Sequence, residues 1–461
     1  MLNHRFIPNS TEEIKNKMLN EIGIKSVDEI YEEIPKELRF NGKLNLPQEP
    51  KSEAEVSDLI TDMLGKNKNP DEYICFLGAG CYDHYQPALV SEVMGRSEFL
   101  TAYTGTEVVD HGKFQAIFEY QSMIGDLVDM DVVGAAVYDG FTAAGDAILM
   151  ASKITERKEI LLPEVMDPDK LSVVKNYIGN WFNITFVKMD KKTGTLDTKD
   201  LASKLSSDIA AVYIENPNYF GVVETKVKEI SKMVHENGAI LIAGFNPISL
   251  GVLAPPGEFG ADIACGEGQP LGHPMALGGT RLGILACKNE PKFVDALPML
   301  MVGILRTPVH GERAYTSHPM SRKIFYSTRE EARSFSGTSS FLLAIGSAVY
   351  MALLGPEGIR EIGMSNIQKA YYAMRRISQI DGIKIPYLGS PHFNEFLVDF
   401  SETGKNVSEV NKALLKRGIL GGKDLSKQFP EMGQVALYCV TEKRKQSEID
   451  LLVEALKEIV T

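Results

Sequence analysis

The sequence predicts an α/β protein with a large domain on a mostly parallel β-sheet, an N-terminal helical arm and a smaller C-terminal α+β domain. Continuous apolar runs between Tyr73 and Ala286, separated by helical patterns, indicate strands buried on both faces. After Ser339 the pattern changes to long apolar helices and half-buried strands. We therefore predict an arm over 1–70, a large domain over 71–325 and a C-terminal domain over 326–461.

Composition limits the classes of function. The chain has 461 residues, of which 44% are hydrophobic and 24% charged, as in ordinary globular proteins. The net charge of 49 − 61 = −12 disfavours a main role in binding nucleic acid or an anionic membrane. The five cysteines lack CxxC spacing, and the N-terminus lacks an apolar signal core. We expect a reduced, cytoplasmic protein.

The arm is predicted to contain short amphipathic helices. Three capping-box signatures mark helix starts: Ser10 with Glu13, Ser26 with Glu29, and Ser52 with Glu55. Gly23 supplies a stop for the first helix. The apolar stripes cannot be buried within so thin an arm, so we expect them to lie on the main body or on a partner.

Alternation of strands and helices defines the large domain. Strand-like runs occupy Tyr73–Leu77, Ala135–Tyr138, Glu159–Leu162, Ile184–Val187, Ile209–Ile214 and Ala239–Ile242. Helical runs include Phe141–Lys153, Pro168–Tyr177 and Val227–Asn237, the last closed by Gly238.

The C-terminal domain has a different composition of elements. Helices are predicted over Ser339–Leu354, ended by Gly355 and Pro356, over Ser365–Ile380 and over Ser447–Val460. Strands are predicted over Phe393–Phe400 and Val435–Val440.

Loops that follow the strands indicate a ligand cleft. The stretch Gly244–Gly283 has ten glycines in forty residues, and no lysine lies between Asp262 and Cys287. Glu215–Gly221 and Asn246–Ser249 also follow strands, and ligands bind at such strand ends in parallel sheets. At Tyr138–Ala144 the free N–H groups of a helix start could hold a phosphate, aided by the Thr142 hydroxyl, or could form a plain turn.

The segment Gly78–Pro87 leaves several interpretations open. Gly78-Ala-Gly80 fits a phosphate-binding turn or a plain tight turn, because the rest of a phosphate-binding motif is absent. Tyr82 or Tyr85 could stack in a cleft or interface, or pack in the core. The scattered histidines make a metal site improbable.

A family resemblance rests on motifs that follow one another along the chain. They include GAGCYDHYQP (78–87), YDGFTA (138–143), NPISLG (246–251), PPGEFGADIACGEGQPLG (255–272), GILGG (418–422) and CVTEKR (439–444). Nearly the whole chain resembles subunit 1 of the two-subunit glycine dehydrogenase (decarboxylating), the P-protein of the glycine cleavage system. The resemblance implies the aspartate-aminotransferase-like fold, fold type I, of pyridoxal-phosphate enzymes.

The resemblance also implies a division of labour. Decarboxylation of glycine on pyridoxal phosphate needs a Schiff-base lysine, and near Gln269 this chain has none. A lysine-bearing subunit 2 is thus expected to hold the cofactor, in an α2β2 assembly that passes the aminomethyl group to lipoylated H-protein. This chain is expected to have no catalytic residue and no metal ligand. Its own vestigial cleft is expected to be lined by Tyr103, Thr104, Gly140, Thr142, Asn216, Asn246 and Gln269.

Departures from the family pattern keep two alternatives open. Residues 105–112 and 317–338 differ from the usual family sequence, and Asn246 replaces the usual Asp that pairs with the pyridinium nitrogen. A diverged paralogue that acts with a partner on another amino acid is one alternative. A non-catalytic binding or scaffolding protein is the other.

Overall fold

The described chain forms two compact units. The structure, a computed structural model, describes residues 6–46, 51–100, 111–276, 281–299, 301–317 and 340–461. The units are Met1–Asn67 and Lys68–Thr461. Tyr103 and Thr104, and most of the segments 105–112 and 317–338, lie outside the described residues.

The first unit contains the helices α1 (Glu12–Ile22) and α2 (Glu53–Leu64). Capping boxes are present at Ser26 and Ser52, as predicted. The box predicted at Ser10 is wrong, because the next residue, Thr11, caps α1 by accepting a hydrogen bond from the Ile14 N–H (3.2 Å). Gly23 ends α1 in a left-handed conformation, φ 81°. What covers the apolar stripes of this unit stays a prediction.

The second unit contains the sheets. Its strands are β1 (Ile74–Cys75), β2 (Val132–Val133), β3 (Glu159–Pro163), β4 (Asn183–Val187), β5 (Ile209–Asn216), β6 (Ile240–Phe245), β7 (Ile263–Glu267), β8 (Gly283–Cys287), β9 (Val302–Arg306), β10 (Arg313–Ser317), β11 (Glu395–Asp399), β12 (Ile419–Leu420), β13 (Lys423–Asp424) and β14 (Val435–Cys439). Its helices are α3 (Ala88–Met94), α4 (Ser97–Leu100), α5 (Phe114–Val128), α6 (Gly140–Thr155), α7 (Pro168–Ile178), α8 (Thr198–Lys204), α9 (Val227–Glu236), α10 (Pro291–Ala296), α11 (Phe341–Ile377), α12 (Val407–Leu415) and α13 (Gln446–Val460).

A seven-stranded sheet forms the centre of this unit, in the order β2-β8-β7-β6-β5-β3-β4. The neighbours from β4 to β7 pair in parallel, whereas β8 runs antiparallel to β7 and β2. Alternate residues of β6 enter different cores: Leu241 packs in one cluster with α5 and α9, and Ile242 packs in the other with α6 and α7. The predicted parallel sheet covered on both faces is thus confirmed.

Two predicted strands of this sheet need correction. The Tyr73–Leu77 run does not join it, because β1 pairs in parallel with β12 near the C-terminus. The run predicted at Ala135–Tyr138 begins earlier, as β2, and then contacts β8 through the Gly134 N–H, which donates to the Leu285 carbonyl (2.9 Å), and through a bridge between Val137 and Gly283. A short apolar run shows that a strand is buried but carries no information about its neighbour.

The smaller sheet has the order β11-β14-β13, and all of its pairs are antiparallel. Helices α11 and α13 pack beside it, with Ala370, Phe396 and Leu452 in one core. Helix α11 breaks at Gly355 (φ 63°) and resumes at Pro356, so the start predicted at Ser365 is too late. By length and composition α11 could cross a membrane, but residues such as Ala344 and Met351 are buried in the protein core.

Candidate functional site

A cleft of about 710 Å³, including its open mouth, lies at the carboxyl ends of the central strands. Its walls come from Gly140 and Phe141 at the start of α6, from Glu215 and 217–219 at the end of β5 and just after it, and from 244–246 at the end of β6. Strand β7 adds Cys265 to Glu267, and the small sheet adds Asn394 and Glu395. The convergence of strand-end loops predicted from the sequence is confirmed.

Carboxylates of the chain itself occupy the N-terminus of α6. Asp139 caps the helix by accepting from the Thr142 N–H (2.6 Å). One oxygen of Glu267 accepts from the Gly140 N–H (2.9 Å), and the other accepts from the backbone of Gln269 and Leu282 (2.9 and 3.0 Å). Burial raises the pKa of Glu267 to about 7 despite these three donors. Negative charge at this helix end suits the helix dipole.

A buried ion pair crosses the cleft. Lys170, in the first turn of α7, pairs with Glu215 at the end of β5, and the Tyr213 hydroxyl donates to the same Glu215 oxygen (2.8 Å). The Lys170 ammonium also lies 5.6 Å from the centroid of the Phe141 ring. Burial alone would lower the pKa of Lys170, but the charge and hydrogen bond of Glu215 raise it overall. Lys170 is therefore a cation and not a free amine nucleophile.

A second buried carboxylate joins the small sheet to the segment after β1. Glu395 on β11 accepts from the Ala79 N–H (2.6 Å) and from the Tyr82 hydroxyl (2.9 Å). Burial raises the pKa of Glu395 to about 7 against these hydrogen bonds. Gly80 and Tyr82 line the cleft, so the Gly78–Pro87 motif contributes a wall, with Tyr82 inside and Tyr85 63% exposed.

The structure separates the predicted site residues into two groups. Gly140 and Asn246 line the cleft. Thr142, Asn216 and Gln269 do not line the cleft and instead form hydrogen bonds within the chain. The Thr142 N–H donates to Asp139, and the Asn216 side chain accepts from the Glu224 N–H (3.0 Å). The Gln269 side-chain amide forms hydrogen bonds with the backbone of Tyr82 and His273. Cofactor binding by these residues stays a prediction.

Lys170 and Asp167 are cleft residues that the sequence reasoning missed. A signal for Lys170 did exist: it lies at the third position of α7, where the helix dipole disfavours a cation. A lysine at such a position needs a nearby anion, and the polar end of an adjacent strand is where that anion would be expected. Asp167 caps the same helix by accepting from the Asp169 N–H (2.9 Å).

Similar proteins define the class and then the family. A crystal structure described as glycine decarboxylase (P-protein) of the glycine cleavage system, in inhibitor-bound form, matches with TM-score 0.85, 32% identity and full coverage of both chains. At 16% identity, a Burkholderia pseudomallei sphingosine-1-phosphate lyase shares the fold with TM-score 0.68, over 93% of this chain and 94% of that chain. The fold is fold type I of the pyridoxal-phosphate enzymes, as predicted.

The sequence comparison is equally extensive. The profile of the family described as glycine cleavage system P-protein matches residues 4–456. A Staphylothermus marinus protein described as probable glycine dehydrogenase (decarboxylating) subunit 1 is 40% identical, over 100% of this chain and 99% of its own length. A Pyrococcus abyssi protein of the same description is also 40% identical, with 99% of each chain covered. The chain belongs to the P-protein family of the glycine cleavage system.

The cleft of this chain does not fit pyridoxal phosphate. The Glu267 carboxylate accepts the hydrogen bond of the Gly140 N–H, at the helix end where the phosphate would rest. Asn246, whose oxygen accepts from the Ile248 N–H (3.0 Å), carries no charge for the pyridinium nitrogen. Lys170, the lysine in the cleft, is committed to Glu215.

Proposed function

We propose that this chain is subunit 1 of a two-subunit glycine dehydrogenase (decarboxylating) and acts in the cytoplasm. The observation that carries the proposal is the 40% identity, from end to end, to relatives of that description. The described residues offer no observation in favour of another substrate or of a scaffolding role, since the divergent segments lie mostly outside them.

We infer that the partner, subunit 2, supplies the Schiff-base lysine and holds the pyridoxal phosphate, in an α2β2 assembly that serves a lipoylated H-protein. The cofactor would supply an electron sink for the carbanion left by decarboxylation. In this chain, Glu267 satisfies the N-terminus of α6 and Lys170 neutralises Glu215. These contacts support the proposal, because they stabilise a fold type I body without a bound cofactor.

Co-expression with a lysine-bearing homologue from the same genome tests the function. We expect a stable complex that exchanges labelled bicarbonate with the carboxyl group of glycine, whereas neither chain alone does so. The matched control replaces the partner's Schiff-base lysine by alanine, which should abolish exchange and leave the complex intact. Failure of the two wild-type chains to associate would refute the proposal.

A further inference from the structure

The hairpin of β9 and β10 forms a two-stranded sheet of its own. Its base rests on α5, where the Val302 N–H donates to the Gln121 side chain (3.1 Å). Further along the hairpin, the rings of Tyr315 and Phe118 lie 5.7 Å apart. A two-stranded hairpin is at best marginally stable in water. The part of the hairpin beyond these contacts is therefore expected to need another surface.

Two arginines face each other across the hairpin, next to its turn. Arg306 on β9 and Arg313 on β10 are cross-strand partners, and both are exposed. No carboxylate of the described residues forms an ion pair with either guanidinium, and Glu312 accepts instead from the Thr307 hydroxyl (3.5 Å). Like charges directly opposite each other on neighbouring strands are destabilising. With Val309 of the turn, which is 55% exposed, the two arginines form a cationic and apolar surface, the hairpin end.

Three aspartates lie at the C-terminus of α5. Asp126 is in its last turn, Asp129 is its C-cap residue (φ 57°), and Asp131 follows. All three are exposed, and within the described part of the chain no cation forms an ion pair with them. The helix dipole disfavours negative charge at this end of a helix. Together with Phe118 and Met301 they line a groove of about 1280 Å³, open mouth included.

The hairpin end and the aspartates lie at opposite ends of α5. Val302 contacts α5 at Gln121, and the strand pair two residues further on contacts it at Phe118, closer to the helix start. The hairpin thus runs back along α5, and its end lies towards the first turn of the helix. From Phe118 to Asp126 the helix rises about 12 Å, so the arginines cannot reach the aspartates of their own chain.

A second copy of this chain is the occupant that satisfies both surfaces at once. In an isologous dimer the same patch of each copy contacts the other copy. With the two α5 helices antiparallel, each hairpin end meets the aspartates of the other copy, and Val309 enters the groove. An acidic protein of another sequence would pair the arginines but leave the aspartates unpaired. A small cation would pair the aspartates but leave the hairpin end uncovered.

We propose that two copies of this chain form a dimer in which the hairpin end of each copy binds the groove of the other. The inference goes beyond the proposed function, because the contact is a property of this chain alone. In an α2β2 assembly it would join the two copies of subunit 1.

Sedimentation velocity of the full-length chain, without a partner, tests the inference. We expect a concentration-dependent dimer that weakens between about 0.1 M and about 1 M salt, because the screening length falls from about 10 Å to about 3 Å. Arg306→Glu with Arg313→Glu should raise the dimer Kd at least about a hundredfold, since like charges then meet. The matched control, Lys228→Glu with Lys232→Glu, makes the same change of charge on exposed positions of α9 and should leave Kd unchanged.

Charge reversal in the groove separates loss of docking from loss of folding. Asp126→Arg with Asp131→Arg should also give a monomer. A mixture of this variant with the hairpin variant should form a heterodimer, because the reversed hairpin end meets the reversed groove and the two unchanged surfaces meet each other. Two misfolded chains would not restore each other in this way.

Four results would overturn the inference. The first is a wild-type chain that stays monomeric at about 100 μM. The second is an unchanged dimer Kd in the hairpin variant, and the third is a mixture of the two variants that stays monomeric. The fourth is a hairpin variant that dimerises normally but no longer binds a lysine-bearing homologue, which would assign the hairpin end to a partner of another sequence.

Discussion

At the scale of single residues, the cleft contains a largely buried ion pair between Lys170 and Glu215. Lys170 and Glu215 have side chains only 20% and 7% exposed, so each ion depends on the other for its solvation. In a buried pair, removal of one partner leaves an uncompensated charge, and the cost exceeds the net contribution of the pair.

Lys170→Met should therefore lower the free energy of unfolding by about 3 kcal/mol, measured by chemical denaturation. The added change Glu215→Gln should restore part of the loss, because it removes the unpaired charge. Lys228→Met is the matched control: its pair with Glu258 spans 3.3 Å with side chains 70% and 54% exposed, and its loss should cost at most about 0.5 kcal/mol. Similar losses for the two lysines would contradict the burial argument.

Glu395 gives a prediction for pH. Its pKa is raised in the folded state to about 7, from a usual value of 4.5. The folded chain thus holds a proton that the unfolded chain releases, and this stability is full below pH 4.5 and lost as the pH rises through 7. Relative to Glu395→Gln, the wild type should lose about 1.4 kcal/mol per pH unit across this range and stay level above it. A difference that does not change with pH would show that Glu395 stays ionised.

The sequence predicts the cleft-forming loops but not which side chains meet in them. Glu215 and Asn246 follow recognisable strands, so their position at the sheet edge could be predicted. The position of Lys170 in the first turn of α7 indicates that it needs an anion, but the sequence does not identify Glu215 as that anion, because the contact spans 45 residues and depends on the packing of α7. The segment from Asp262 to Cys287 lacks lysine, but the cleft nevertheless contains one, Lys170, which comes from another part of the chain.

At the scale of elements, the start of α6 lies unusually close to β7. A Cβ on Gly140 would be 2.9 Å from the Glu267 Cβ and 3.0 Å from its backbone nitrogen. Glycine is thus required here by close approach of two backbones.

Gly140→Ala should lower the free energy of unfolding by about 1–3 kcal/mol, since the clash displaces α6 or β7. Gly389→Ala is its control, because nothing lies within 4 Å of a Cβ there. Thermal denaturation of both variants measures the difference. Equal midpoints for the two variants would show that the helix can shift at no cost.

Long elements were predicted better than their boundaries. The strands β3 to β6 and the helices α6, α7, α9 and α13 lie within a few residues of their predicted bounds, because strong periodicity marks them. The start predicted for the second half of α11 lies later than the observed one, because Gly355 and Pro356 end one helical segment and also begin the next. The two residues thus divide α11 into two helical segments that meet at a kink.

At the scale of the whole molecule, the structure combines a fold type I body with a cleft whose residues do not fit the usual cofactor of that fold. The domain division at residues 70 and 325 stays a prediction, and so do the roles of Tyr103 and Thr104.

Pyridoxal phosphate added in equal amount to the isolated chain should therefore give no aldimine absorbance. After borohydride reduction, mass spectrometry should find no pyridoxyl group on Lys170. With subunit 2 present, the label should appear on the partner. A pyridoxyl adduct on Lys170 in the isolated chain would contradict the cleft geometry.

The pairing of β1 with β12 has a consequence for how the molecule assembles. Phe76 lies in the core of the small sheet, and its carbonyl accepts from the Cys439 N–H (2.9 Å), although the two residues are far apart in the chain. During synthesis the segment around β1 cannot form these contacts until residues 419–439 have left the ribosome. Non-local contacts of this kind make folding slow. A C-terminal fragment would lack a strand of its own core, and a peptide containing β1 could restore it.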